Sequence, residues 1–199
     1  MKRGIKSLFH KTSLARKQQE RIKIAALGIV RAMAFLHDQG LIYRDLKPAN
    51  VGFDSQGTVK LFDFGLARVV ISGEEKGRRL TGGTGTLRYM ANEVANHQDY
   101  SFPADVYSFG IVLWEVCTLS KPFGGVKDVA LFCERVYKKH ERPSLWAIGS
   151  PRVKDLLKLC WHQDASRRPT FATIAMQLDC VEKPTHFCVV RGDNKRYDM

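Results

Sequence analysis

The chain has 199 residues, 44% of them hydrophobic and 26% charged, which suffices for one sizeable core and argues against disorder. Its formal net charge is +12, with many basic residues in positions 2–23 around a single acid, Glu20. Because no recognisable nucleic-acid-binding motif accompanies this charge, it predicts solvated protein faces rather than a nucleic-acid site.

The cysteines and the hydropathy indicate the cellular compartment of the protein. Five dispersed cysteines show neither close pairs nor the Cys/His spacing that zinc requires: Cys117, Cys133, Cys160, Cys180 and Cys188. An odd, dispersed set favours a reducing compartment. The basic N-terminal region has no apolar signal core, and no run is apolar enough to span a bilayer. We therefore expect a soluble cytoplasmic protein without a membrane span.

The first predicted element is an amphipathic helix from Thr12 to Asp38, with Gly40 just past its end. Its apolar residues recur at steps of four and three: Ile22, Ala26, Ile29, Met33 and Leu36. A hairpin is predicted next, with residues 51–53 and 58–62 flanking the turn 54–57. Residues 63–93 show little periodicity, and loops of this length in compact domains are usually functional.

Four helices are predicted beyond this loop. Residues 104–119 are apolar nearly all round, which predicts a helix buried through the centre of the domain. The other three are expected at about 126–140, from Ser150 as N-cap to Trp161, and from Thr170 as N-cap to Val181. Residues 182–199 have no period and are expected to form a flexible tail, so the predicted domain covers residues 1–181.

Two segments on either side of the hairpin resemble the catalytic loop and the metal-binding motif of protein kinases: YRDLKPAN at positions 43–50 and Asp63-Phe64-Gly65. The resemblance implies a mainly α fold, the kinase C-terminal lobe with a small β-hairpin, and ATP and Mg²⁺ as cofactors. It also implies that Asp45 accepts or orients the proton of the substrate hydroxyl. Asn50 would hold a second magnesium and Asp63 the magnesium that bridges the phosphates, since Mg²⁺ prefers oxygen ligands.

Lys47 is the residue that serine/threonine kinases carry two positions after the catalytic Asp, where it would contact the transferred phosphate. Residues 85–93 resemble the family's loop that receives the substrate residue beside the phosphoacceptor, and there Thr86 would help to fix Asp45 and Lys47. Residues 108–115 are closest to the tyrosine-kinase-like branch of the serine/threonine enzymes.

Three further residues match structural positions of the family. Asp105 would accept hydrogen bonds from the backbone of the catalytic loop, because buried N–H groups in a strained loop need acceptors. Arg168 would pair with Glu93 as a structural staple.

The sequence also departs from the family pattern. Tyr43 replaces the usual His, and Asn92 replaces the usual Pro, which is expected to loosen the end of the loop. Gly52 stands where a large apolar side chain usually lies beneath the adenine, which predicts a less filled floor. No Gly-rich phosphate loop, strand-borne Lys or Glu partner precedes residue 13, so the N-lobe is expected to be absent and turnover by the chain alone to be very low.

Arg44 directly before Asp45 is the arrangement of kinases that are switched on by phosphorylation of the activation loop. We hypothesise that an upstream kinase phosphorylates Thr81 or Thr84, and that the phosphate pairs with Arg44 and orders residues 69–86.

The predicted function is ATP-dependent phosphoryl transfer to Ser or Thr of a protein substrate. Two alternatives stay open: a non-catalytic scaffold that keeps the kinase lobe, and a basic nucleic-acid binder that rests on charge alone. The intact Asp45, Asn50 and Asp63 favour the enzyme, because a scaffold would not require all three.

Overall fold

The computed structural model of the chain describes residues 16–70 and 80–181. The predicted start of the first helix at Thr12, the middle of the long loop and the predicted tail 182–199 lie outside the described residues. Within the described part the protein is mainly helical with a few short strands, as predicted. No helix in that part is long and apolar enough to cross a membrane.

The first helix, α1, is one long element along the core. Residues 16–21 are helical, Ile22–Ala26 form a π-helical stretch, and Leu27–Asp38 continue as an α-helix. All five residues of the predicted apolar stripe are buried, which confirms the periodicity argument. The helix is followed by Gly40 at φ +69°, a left-handed conformation that glycine adopts without steric cost.

Four short strands form two antiparallel pairs. In chain order they are β1 (Leu41–Ile42), β2 (Val51–Phe53), β3 (Val59–Leu61) and β4 (Arg68–Val69). Strands β2 and β3 form the predicted hairpin, with Gly52 opposite Lys60. The pairing of β1 with β4, Leu41 opposite Val69, was not predicted, because two-residue strands show no alternation. It fixes the chain before the catalytic loop beside the chain after Gly65.

The other α-helices within the described residues are α2 (Asn92–Ala95), α3 (Pro103–Thr118), α4 (Val129–Phe132, continued by a π-helical stretch Cys133–Lys138), α5 (Pro151–Cys160) and α6 (Phe171–Val181). Short 3-10 helices lie at Pro48–Asn50, Leu87–Tyr89 and Ala165–Arg167. Helix α3 is buried along nearly its whole length, as predicted, and packs against α1 and α5. Helix α6 packs along α1. The core therefore lies between these four helices, and the loops that precede α3 rest on it.

The helix starts follow local capping. Ser150 Oγ accepts a hydrogen bond from Val153 N at 3.4 Å and Thr170 Oγ1 accepts one from Thr173 N at 3.2 Å, so both predicted caps are present. The helix predicted at 126–140 starts later and is partly π-helical. Its N-cap is Asp128, whose carboxylate accepts from Leu131 N at 2.7 Å.

Candidate active site

The catalytic loop, residues 43–50, is anchored to the start of α3 by Asp105. Its carboxylate accepts hydrogen bonds from the backbone N–H groups of Tyr43 and Arg44, both at 2.8 Å, and only 1% of Asp105 is exposed. The bonds expected for Asp105 are therefore present. They hold Arg44 at φ +72°, a conformation that costs energy in a residue with a side chain.

His37, at the end of α1, is a second partner of Asp105 that the sequence argument missed. Its Nε2 lies 2.9 Å from Asp105 Oδ2, and its ring packs against Phe171. His37 lies four residues after the buried Met33, on the same face of the helix, but only the tertiary fold brings it to Asp105.

The Asp45 carboxylate is bound on both of its oxygens. Oδ1 accepts from Thr86 Oγ1 at 2.7 Å, while Oδ2 accepts from Lys47 Nζ at 2.6 Å and from Asn50 Nδ2 at 3.1 Å. Lys47 also donates to Thr86 Oγ1 at 3.0 Å, and Asn50 donates to the Asp45 carbonyl at 2.9 Å. Asp45 is buried, so the structure brings these four predicted residues together around one oriented carboxylate.

The hairpin connects Asp63 to this cluster. Phe62 N donates to Asn50 O at 2.9 Å, so Asp63 follows directly on the residue that pairs with Asn50. Asp63 has φ +56° and is exposed, and its Oδ1 accepts a hydrogen bond from Gly65 N at 3.3 Å. At one edge of the hairpin, the pairing thus places Asp63 directly after the residue whose backbone is hydrogen-bonded to Asn50.

The residues at this edge fit a magnesium ion. No group of three or more His, Cys, Asp or Glu side chains that could enclose a metal occurs within residues 16–70 and 80–181. A single carboxylate with one amide oxygen instead suits Mg²⁺, which is commonly bound by one or two carboxylates together with water and substrate phosphates. Asn50 uses its amide nitrogen on Asp45, which leaves its oxygen as the candidate ligand beside Asp63.

Tyr43, where the family usually has His, links the catalytic loop to the metal-binding segment. Its hydroxyl donates to the Phe62 carbonyl. Its ring packs edge to face against the Phe64 ring, with the two centroids 5.3 Å apart. Burial raises the pKa of Tyr43 to about 12, and the nearby Asp45 and Asp63 carboxylates add to the rise. Tyr43 therefore stays a neutral hydrogen-bond donor at ordinary pH.

The Arg44 side chain reaches the described part of the long loop. Nη1 lies 3.3 Å from Thr81 Oγ1 and 3.1 Å from Tyr100 OH, and Nε donates to Leu66 O at 2.6 Å. Thr81 and Thr84 share a hydrogen bond of 3.0 Å between their hydroxyls. Tyr100 was missed, and nothing in its local sequence distinguishes it.

Glu93 and Arg168 form the expected pair under the end of the loop. Arg168 Nη2 donates to Glu93 Oε2 at 2.9 Å, Nη1 donates to the other carboxylate oxygen, and Nε donates to His162 O at 2.9 Å. Asn92 beside it is buried, and its amide nitrogen donates to Tyr137 O at 3.1 Å, which connects the end of the loop to the π-helical stretch after α4.

These parts match the arrangement expected of a protein kinase catalytic lobe: a buried carboxylate, Asp45, held by a lysine, an amide and a hydroxyl, beside a hairpin that is followed by an exposed carboxylate, Asp63. A family model described as protein kinase domain matches residues 3–179, and the chain belongs to the protein kinase family.

Three relatives illustrate the similarity. The serine/threonine/tyrosine-protein kinase HT1 of Arabidopsis thaliana is 41% identical over 84% of this chain and 40% of its own length. The serine/threonine-protein kinase STY17 of the same plant is 38% identical over 99% of the chain and 33% of its own length. The dual specificity protein kinase shkB of Dictyostelium discoideum is 36% identical over 79% and 24%. The chain thus spans two fifths or less of the length of these relatives.

Proposed function

We propose that the chain is part of a protein serine/threonine kinase and that it positions the acceptor hydroxyl and the metal for transfer of the ATP γ-phosphate. The observation that carries the proposal is the Asp45 carboxylate held by Lys47, Asn50 and Thr86 beside the hairpin that bears Asp63. The names of the relatives support the same substrate class, protein hydroxyl groups. We also propose that residues 1–181 form the domain and that the protein acts in the cytoplasm.

Each residue has a role that follows from its contacts. Asp45 takes or orients the proton of the acceptor hydroxyl, and Thr86 keeps one carboxylate oxygen in place while the other faces Lys47. Lys47, which binds Asp45 and Thr86 in the structure, would contact the transferred phosphate, since a lysine ammonium acts as a mobile point charge. Asn50 and Asp63 would hold Mg²⁺, which neutralises phosphate charge when bound.

Regulation by phosphorylation is part of the proposal. A phosphate on Thr81 or Thr84, supplied by an upstream kinase, would pair with Arg44, whose guanidinium already contacts the Thr81 hydroxyl. Thr81→Ala together with Thr84→Ala should then abolish activation by that upstream kinase. Full activity of the double variant would exclude this switch.

The test of the function compares binding with transfer. Magnesium-dependent ATP binding and incorporation of labelled phosphate into a protein substrate are measured for the chain reconstituted with a kinase N-lobe, and for its Asp45→Asn and Asp63→Asn variants. Asp155→Asn, exposed on α5, serves as the matched control. We expect Asp63→Asn to lose magnesium-dependent binding, and Asp45→Asn to bind but lose transfer.

The outcomes separate the two candidate functions. Transfer by Asp45→Asn at the rate of the unaltered chain would overturn the assignment of Asp45. Magnesium-dependent ATP binding by the reconstituted, unaltered chain with no transfer above the Asp45→Asn background would favour the non-catalytic scaffold.

A further inference from the structure

One face of the hairpin carries a close pair, Gly52 on β2 and Phe62 directly after β3. Gly52 lies opposite Lys60, and Phe62 pairs with Asn50, so positions 50, 52, 60 and 62 share one face of the pleat. A Cβ placed on Gly52 would lie 2.6 Å from Cε2 and 3.2 Å from Cζ of the Phe62 ring. The ring therefore occupies the space that a side chain at position 52 would need.

The backbone of Phe62 is held on both sides by buried residues of the catalytic loop. Its N–H donates to the Asn50 carbonyl at 2.9 Å, and its own carbonyl accepts from the Tyr43 hydroxyl. Since Asp63 is the next residue, the backbone of Phe62 is fixed between Asn50 and Asp63, the two residues proposed to hold the metal.

The ring is nevertheless open to a ligand. The opposite face of the hairpin is turned to the core, because Val59 packs against Gly28 of α1 and is buried. Phe62 lies on the other face, and 53% of it is exposed. A large aromatic surface is thus presented next to the metal-binding edge.

A nucleoside triphosphate whose phosphates lie at Asn50 and Asp63 carries an aromatic base only one ribose away. Bases stack on aromatic side chains, and removing such a ring typically weakens binding about tenfold. Gly52 offers no side chain for this contact, whereas Phe62 reaches over the same position from the neighbouring strand.

We propose, on the basis of the proposed function, that Phe62 is the base-stacking residue of the nucleotide site and that position 52 is glycine to make room for it. The apolar surface expected beneath the base is then provided by Phe62, directly after β3, rather than by a side chain at position 52 on β2. Residues 52 and 62 act as a matched pair in which only one can be large.

The test separates the base from the phosphates. Binding of magnesium-ATP and of magnesium-tripolyphosphate, which lacks a base, is titrated by ligand-detected NMR, a method suited to weak affinity. Phe62→Ala should bind ATP about tenfold more weakly and tripolyphosphate as before. Phe53→Ala, an equally exposed phenylalanine on β2, is the matched control and should change neither affinity.

The matched pair gives a second arm. Gly52→Leu alone should weaken ATP binding because it displaces the ring, whereas Gly52→Leu combined with Phe62→Ala should restore most of the loss. Thermal unfolding of each variant verifies that it folds.

The failures are distinguishable. If Phe62→Ala binds ATP as the unaltered chain does while Asp63→Asn loses it, the stacking proposal is overturned and the proposed function stands. If the unaltered chain binds neither ATP nor tripolyphosphate, the proposed function and the stacking proposal fall together.

Discussion

The catalytic loop and the metal-binding segment meet in one site, but the protein holds them very differently. In the catalytic loop, residues 43–46 and Asn50 are buried, and Asp105 binds its backbone from the central helix. In the metal-binding segment, residues 62–65 are all exposed. Asp45, the proposed proton acceptor, is therefore positioned by the core, whereas Asp63, the proposed metal ligand, is positioned by the hairpin and by Tyr43.

This difference separates stability from function. Substitutions among the buried residues that brace the catalytic loop and the end of the loop at residues 85–93 should lower the free energy of unfolding, because they leave buried groups without partners. Substitutions in the exposed segment should change ligand binding with little effect on folding. Four variants test this contrast.

The largest effect is expected for Arg168→Ala. The Arg168 side chain is fully buried, and its removal leaves the Glu93 carboxylate without its ion-pair partner in the interior. Breaking a buried ion pair in this way lowers the free energy of unfolding by about 3–5 kcal/mol. Urea denaturation of the variant and of the unaltered chain measures this loss. Arg167→Ala is the matched control, because Arg167 is the exposed neighbour. A loss no larger than that of the control would refute the role of the pair as a staple.

A smaller loss is expected for Asp105→Asn. The Asp105 carboxylate accepts from two backbone N–H groups and contacts His37, and an amide can replace only part of this. We expect about 2–3 kcal/mol lower unfolding free energy, from one buried donor left unsatisfied and the loss of bonds to a charged acceptor. Hydrogen exchange should show faster exchange of the Arg44 amide, and unchanged protection of that amide would contradict the bracing.

Tyr43 connects the two regions and should have an intermediate effect. Tyr43→Phe removes the hydroxyl that donates to Phe62 O, which should cost about 1 kcal/mol at pH 8. Burial raises the Tyr43 pKa from 10.0 to about 12, so the folded state favours the neutral phenol. The stability this gives is complete below pH 10 and is lost as the pH rises to 12. The difference between the two proteins should therefore shrink by about 1 kcal/mol at pH 11.

The measurement is urea unfolding of both proteins at pH 8 and pH 11. Comparing the two proteins removes the contribution of the other buried tyrosines, whose pKa values are also raised by burial. A difference that stays constant between the two pH values would show that the Tyr43 hydroxyl is not buried as described.

The same contrast marks how far the sequence could predict the structure. Helices α1 and α3 were predictable because their apolar patterns are local, and Ser150 and Thr170 were recognisable caps. The pairing of β1 with β4 was not, since it joins residues far apart in the chain and each strand has two residues.

The candidate site shows the same division. Asp45, Asn50 and Asp63 were identified because they fall in short motifs that resemble a known family. His37 and Tyr100, the tertiary partners of Asp105 and Arg44, were missed, because these hydrogen bonds form only when distant segments of the chain meet. Phe62 carried a local signal, an aromatic residue directly before Asp63, but its relation to Gly52 requires the register of the hairpin.

The smallest effect on stability is expected for Asp63→Asn, and it is the sharpest test of the contrast. The exposed carboxylate accepts from Gly65 N, a bond that an amide oxygen can also accept. The unfolding free energy should therefore stay within about 0.5 kcal/mol of the unaltered chain, as is usual for surface positions. Nucleotide affinity should nevertheless lose its dependence on Mg²⁺, because an amide lacks the charge that the cation requires. A loss of stability comparable with that of Asp105→Asn would instead mean that Asp63 belongs to the braced half of the site, and that both halves are positioned by the core.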